Sequence, residues 1–86
     1  MDLTKYTKFS IDNKTLLEHS DNCGCFYCQR IYHPSEINDW TDEGKTAICP
    51  HCGVDSVLPD IGPVNISDKL LKKLNEFYFK KGIKNE

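Results

Sequence analysis

Two cysteine pairs, Cys25-Phe26-Tyr27-Cys28 and Cys49-Pro50-His51-Cys52, are separated by twenty residues. A CxxC…CxxC pattern at this spacing supplies the four corners of a zinc tetrahedron with metal–sulfur bonds of ~2.3 Å. Nothing else in the chain constrains its fold as strongly, because the cross-link joins two segments whatever the remaining residues do. At 86 residues, the chain is near the size at which a hydrophobic core alone is only marginally stabilising. Structural zinc contributes on the order of 10 kcal/mol of apparent binding energy to folding, enough to change that balance.

The five cysteines read as metal ligands before disulfides. Their number is odd, and the N-terminus Met1-Asp2-Leu3-Thr4-Lys5-Tyr6 lacks the apolar stretch of a secretory signal. A cytoplasmic location is therefore expected. No apolar run approaches the ~18–20 residues needed to span a bilayer, so no membrane role is expected.

The pattern along the chain predicts a small α+β fold, a single zinc-ribbon-like domain over 1–86. Residues 1–22 form an N-terminal arm and short helix, 23–62 the zinc ribbon of hairpin-like knuckles, and 63–86 an amphipathic C-terminal helix. Ser10 or Asp12 caps the first helix, with Leu16 and Leu17 turned inward. Gln29 to Tyr32 leaves the first knuckle as a strand that His33-Pro34 ends. Ser35 caps one helical turn that puts Ile37 and Trp40 on the same side, with Trp40 in the core beside Ile37 and Tyr32. Asp42 to Lys45 makes a turn that uses Gly44. Thr46 to Ile48 enters the second knuckle, Val54 to Leu58 leaves it, and Pro59 to Pro63 is a loop. Ser67 caps the last helix, and Ile66 staples its first turn. Leu70, Leu71, Leu74, Phe77 and Tyr78 form its apolar stripe, and Gly82 ends it.

The predicted metal ligands are Cys25, Cys28, Cys49 and Cys52. Gly53 follows the second pair, where a knuckle favours positive φ, and Pro50 presets the turn. Gln29 holds the equivalent place in the first knuckle, which predicts a strained or altered turn there. Four thiolates leave no open coordination position, so the site is expected to be structural and closed. Cys23, two residues before Cys25, is either incidental, a free redox or exchange thiol, or a replacement ligand. His51, inside the second pair, points to solvent, and His19 and His33 are surface residues. No catalytic constellation is present, and the chain is not expected to be an enzyme.

Charge is unevenly placed. Residues 1–22 carry three lysines against four acids, 23–62 carry Arg30 and Lys45 against six acids, and 63–86 carry six lysines against three acids. Four thiolates on a zinc ion make the ribbon more acidic still. An acidic ribbon repels a phosphate backbone, which favours a protein partner with a basic surface. Phe26 and Tyr27, at the first knuckle's tip, either project as interface anchors or pack over the metal or the C-terminal helix. Lys69, Lys72, Lys73, Lys80, Lys81 and Lys84 on that helix leave nucleic acid as the alternative partner.

The segments Cys25 to Cys28, Ile31 to Ile37, Trp40 and Thr46-Ala47-Ile48-Cys49-Pro50-His51-Cys52-Gly53-Val54-Asp55-Ser56-Val57 resemble a family of small bacterial and phage proteins. That resemblance implies a zinc-ribbon-like cytoplasmic protein and brings no established activity. The second knuckle is also similar to that of rubredoxins, which implies an iron centre for electron transfer. Gln29 and Arg30 depart from the glycine with which a rubredoxin's first knuckle continues. The resulting expectation is a zinc-stabilised protein-binding module, inhibitory or regulatory. The alternatives are a nucleic-acid-binding regulator and an iron redox protein.

Overall fold

A three-stranded antiparallel sheet, with β1 (Cys23–Cys25) at its centre, carries the first cysteine pair and receives the chain leaving the second. The computed structural model describes residues 4–61 and 64–80. β2 (Ile31–Tyr32) and β5 (Val57–Pro59) flank β1. Cys23 is opposite both Tyr32 and Pro59, Gly24 opposite Ile31 and Leu58, and Cys25 opposite Val57. Successive side chains on a strand point to opposite faces, so Cys23, Cys25, Tyr32 and Val57 share one face, and Gly24 and Leu58 share the other.

That alternation divides the core in two. The first cluster gathers Leu17, Cys23, Cys25, Tyr32, Ile37, Ala47, Cys49 and Val57, with Trp40 packed partly buried against it. The second holds Phe26, Leu58, Val64, Leu70, Leu71 and Leu74, with Tyr6, Phe9, Ile66 and Phe79 at its margin. A separate hairpin of β3 (Asp39–Thr41) and β4 (Thr46–Ile48) delivers the chain to the second knuckle. Its turn takes Asp42 and Glu43 to φ of 54° and 61°, besides the expected Gly44 at 87°.

The N-terminal helix differs from expectation. It is broken into α1 (Thr4–Thr7), a 3-10 turn (Lys8–Ser10) and α2 (Lys14–Glu18). Neither Ser10 nor Asp12 caps α2, because Asn13 holds the N-cap position. The Ser10 hydroxyl donates to the Thr7 carbonyl at 2.6 Å, and the Asp12 amide donates to Thr46 Oγ1 at 2.8 Å. Asn13 precedes α2, but its side chain serves the tertiary fold. Its Nδ2 donates to the carbonyls of Phe9 and Val57 (3.0 and 2.9 Å), and its Oδ1 accepts from the Ala47 amide (3.1 Å). Leu17 enters the core, while Leu16 is only half-buried.

Other corrections concern the middle of the chain. His33, not Ser35, caps the 3-10 turn Pro34–Glu36, its Nδ1 accepting from the Ser35 amide. Trp40 reaches the core from β3 rather than from that turn. Only Val57 onward is a strand, and Pro59 belongs to it. β5 is an edge strand, where a proline's missing donor is tolerated. Pro63 and Gly82 lie outside the described residues.

Helix α3 (Asp68–Asn75) begins as read, with the Ser67 hydroxyl accepting from the Leu70 amide at 3.1 Å. Ile66 and Leu71 meet over Gly24, where an added Cβ would stand 2.9 Å from Leu71 Cδ1 and 3.2 Å from Ile66 Cγ2. Leu70, Leu71 and Leu74 are buried, but Phe77 and Tyr78 are not. The helix widens into a π turn over Glu76–Lys80, and the i+5 spacing of a π turn advances the inward position by one residue. Phe79 therefore takes the inward place, 5.8 Å from the Phe26 ring and 4.8 Å from the Tyr27 ring.

Candidate metal centre

The first knuckle links the paired strands β1 and β2, the second joins β4 to β5 across the two sheets, and the two short turns bring their cysteines together. They are built alike. The Gln29 amide donates to the Cys25 carbonyl at 2.8 Å, and the Gly53 amide to the Cys49 carbonyl at 2.9 Å. The Cys25 and Cys49 amides close the two turns onto the Arg30 and Val54 carbonyls, each at 3.0 Å. Tyr27 and His51 direct their amides at Cys25 Sγ and Cys49 Sγ, each at 3.4 Å. Gln29 adopts φ 65° beside Gly53 at 78°. The first knuckle therefore has the same turn as the second, with the strain placed in one left-handed glutamine.

Within each pair one sulfur is deep and one shallow. Cys25 and Cys49 are buried, and Cys28 and Cys52 are half-buried. Cys25 Sγ lies 3.5 Å from Cys52 Sγ, Cys28 Sγ lies 3.7 Å from Cys49 Sγ, and all four sulfurs fall within 4.8 Å of one another. A tetrahedron with ~2.3 Å metal–sulfur bonds has edges of ~3.8 Å, so the four thiols fit one metal ion. Among the described residues, no other group of three or more His, Cys, Asp or Glu converges in this way.

Among Cys28, Cys49 and Cys52, the surroundings favour the deprotonated ligand only at Cys49. Burial pushes the Cys28 thiol up to about 11, against the Arg30 amide that stabilises its thiolate, and burial raises Cys52 further. Burial also opposes the Cys49 thiolate, but the Tyr32 hydroxyl and the His51 and Cys52 amides outweigh it and bring that thiol below its ordinary range. The Tyr32 hydroxyl is buried beside Cys49 and makes no well-aligned hydrogen bond. A thiolate at Cys49 is the acceptor it lacks, and that fits a bound cation. Ser56 Oγ stands 3.0 Å from Cys25 Sγ, where a hydroxyl can donate to a second thiolate.

Cys23 stays outside the cluster. It shares the inward face of β1 with Cys25, but its sulfur is not among the four that converge within 4.8 Å. It is fully buried, and burial, followed by the charges of Cys49, Glu36 and Cys25, pushes its thiol up to about 12. That thiol is held neutral and unreactive. His51 is also outside the cluster, with its Nε2 3.0 Å from Glu36 Oε1 and its ring 5.0 Å from Tyr32.

The aromatic tip resolves into two different residues. Phe26 is buried in the second cluster, and Tyr27 is 46% exposed while its carbonyl accepts from Asn75 Nδ2 at 2.8 Å. Asn13, Asn75 and Tyr32 organise the centre's frame; sequence reasoning passed over both asparagines and placed Tyr32 in the core without its hydroxyl's role. Single polar residues in amphipathic segments carry no periodic signal that marks them as buried.

Comparison of the chain with family models, with curated proteins and with solved structures finds no match. The resemblance to small bacterial and phage proteins is therefore supported only as far as a four-cysteine, zinc-ribbon-like core. No helix among the described residues is long and apolar enough to cross a membrane.

Proposed function

We propose that the four cysteines hold a structural zinc ion and that the domain they staple is a protein-binding module for a partner with a basic surface. Zinc suits a tetrahedral all-thiolate site with no open position, since a closed donor set leaves the metal no place to bind a substrate. One observation carries the binding role. Between Asp12 and Asp60 the described residues hold nine acids against Lys14, Arg30 and Lys45, and every one of those acids except Asp60 is exposed. Among the described residues, Glu36 alone of these acids has an ion-pair partner, His51. An acidic surface of this kind steers association with a basic partner and gives it specificity.

A specific feature of the fold supports a second reading. The Thr7 hydroxyl hydrogen-bonds Tyr78 at 3.1 Å, and Tyr6 and Phe9 pack on the second cluster. The segment bearing Lys5 and Lys8 thereby packs beside the helix bearing Lys69, Lys72, Lys73 and exposed Tyr78, a combination of cations and a stacking surface that suits single-stranded nucleic acid. Affinity capture from lysate of the source cells, with and without nuclease, separates the two readings. A protein retained in near-stoichiometric amount through nuclease treatment and released by salt is the expected result. Capture that nuclease abolishes moves the site to the lysine-bearing helices. Metal analysis of the same sample tests the zinc assignment. One colourless zinc per chain is expected, and a visible iron–thiolate absorption would replace zinc with an iron centre.

A further inference from the structure

We propose that the groove between α2 and the His33–Glu36 turn receives an arginine side chain from the partner, an inference that rests on the binding-module reading and gives it a site. The groove has a volume of about 390 Å³ and lies away from the four sulfurs. Leu17, Pro34 and Trp40 give it an apolar lining, and Glu18 and Asp21 line it with carboxylate side chains. Neither carboxylate has an ion-pair or hydrogen-bond partner among the described residues.

The two histidines that line the groove are fixed in opposite tautomers. His19 Nδ1 lies 2.8 Å from the Thr15 carbonyl, which can only accept, so Nδ1 carries the proton and neutral His19 presents the lone pair of Nε2. His33 Nδ1 accepts from the Ser35 amide at 3.1 Å, so its proton is on Nε2. The groove therefore offers two carboxylates and a ring nitrogen as acceptors, with one ring N–H as donor. Arginine matches that set. Its guanidinium has five donors in a planar fork, its stem is apolar, and its plane stacks on indole. Lys14 Nζ stands 5.1 Å from the Trp40 ring centroid, so an incoming guanidinium takes the place of that ammonium on the indole and relies on the two carboxylates to offset its charge. The His33 N–H suits a backbone carbonyl of the same peptide. Lysine fits less well, because an ammonium cannot stack or reach both carboxylates with fixed geometry.

The test uses the metal-loaded protein, labelled with 15N, and the peptide acetyl-Ser-Arg-Ser-amide. Its counterpart, with citrulline in place of arginine, keeps the shape and removes the charge. Saturable shifts of the 18–21 amides, of the His33 and Ser35 amides and of the Trp40 indole are expected with the arginine peptide and not with citrulline. Exposed carboxylate pairs contribute about threefold each to affinity, so Glu18→Gln with Asp21→Asn should weaken binding about tenfold. Equal response to citrulline, shifts confined to the β3–β4 hairpin, or an unchanged double variant would overturn the proposal. The module reading fails by a different result, when nothing is captured at low salt, so the two failures are distinguishable.

Discussion

Gln29 shows how one residue can meet the requirements of a turn that it fits poorly. Its amide closes the first knuckle as the Gly53 amide closes the second, and it holds φ 65° to do so. A side chain in the left-handed region costs on the order of 1 kcal/mol. Gln29→Gly should therefore stabilise the fold by about 1 kcal/mol, read as a higher midpoint in chemical denaturation at unchanged metal content. Tyr32 makes the opposite case, because its buried hydroxyl has only the Cys49 sulfur to serve. Loss of an outer-shell donor typically weakens metal binding about 10–100-fold. Tyr32→Phe should do so in a chelator competition, and the charge-transfer bands of the cobalt-substituted protein should shift. Unchanged bands and affinity would show that the hydroxyl does not touch the thiolate. That Cys25, Cys28, Cys49 and Cys52 would cluster was legible from spacing alone. Tyr32 was not, since nothing in Ile31-Tyr32-His33 distinguishes a tyrosine aimed at a sulfur from one filling a core.

At the scale of elements, β1 governs the architecture because one face serves the metal centre and the other serves helix α3. Gly24 is the point of contact, where an added Cβ would meet Leu71 Cδ1 at 2.9 Å and Ile66 Cγ2 at 3.2 Å. Gly24→Ala should cost about 1–3 kcal/mol, the usual range for overpacking. The loss should appear in thermal denaturation of the metal-loaded protein while zinc stoichiometry stays at one per chain. Loss of zinc without loss of helix would place the strain on the metal side instead. The helix start at Ser67 was legible because a cap and a hydrophobic staple are local signals. The end of its stripe was not. An apolar run at i+7 and i+8 predicts Phe77 and Tyr78 inside only if the helix stays α, and the π turn brings Phe79 there.

At the scale of the molecule, the metal centre couples folding to proton concentration. Cys28 and Cys52 have thiols raised by burial, so the metal-free chain holds those protons at neutral pH, and an ion must displace them to bind. Metal affinity should rise steadily with pH across the neutral range and fall as the solution is acidified. Chelation at neutral pH should unfold the ribbon, followed by the loss of ordered β-sheet signal. Folding that survived complete metal removal would make the centre an ornament of a self-sufficient core.

The sequence by itself determined the two matched cysteine pairs, the acidic character of the ribbon and the capped helix, because cysteine spacing, charge and helix caps are local chemistry. Tertiary structure decided which thiol stays out, since Cys23 is buried on the inward face of β1 while the other four sulfurs converge. Tertiary structure also decided that Phe26 packs inward, that the segment bearing Lys5 and Lys8 packs against the second cluster, and that His19 and His33 line one groove. Those outcomes depend on residues far apart in the chain, and no local pattern encodes their meeting.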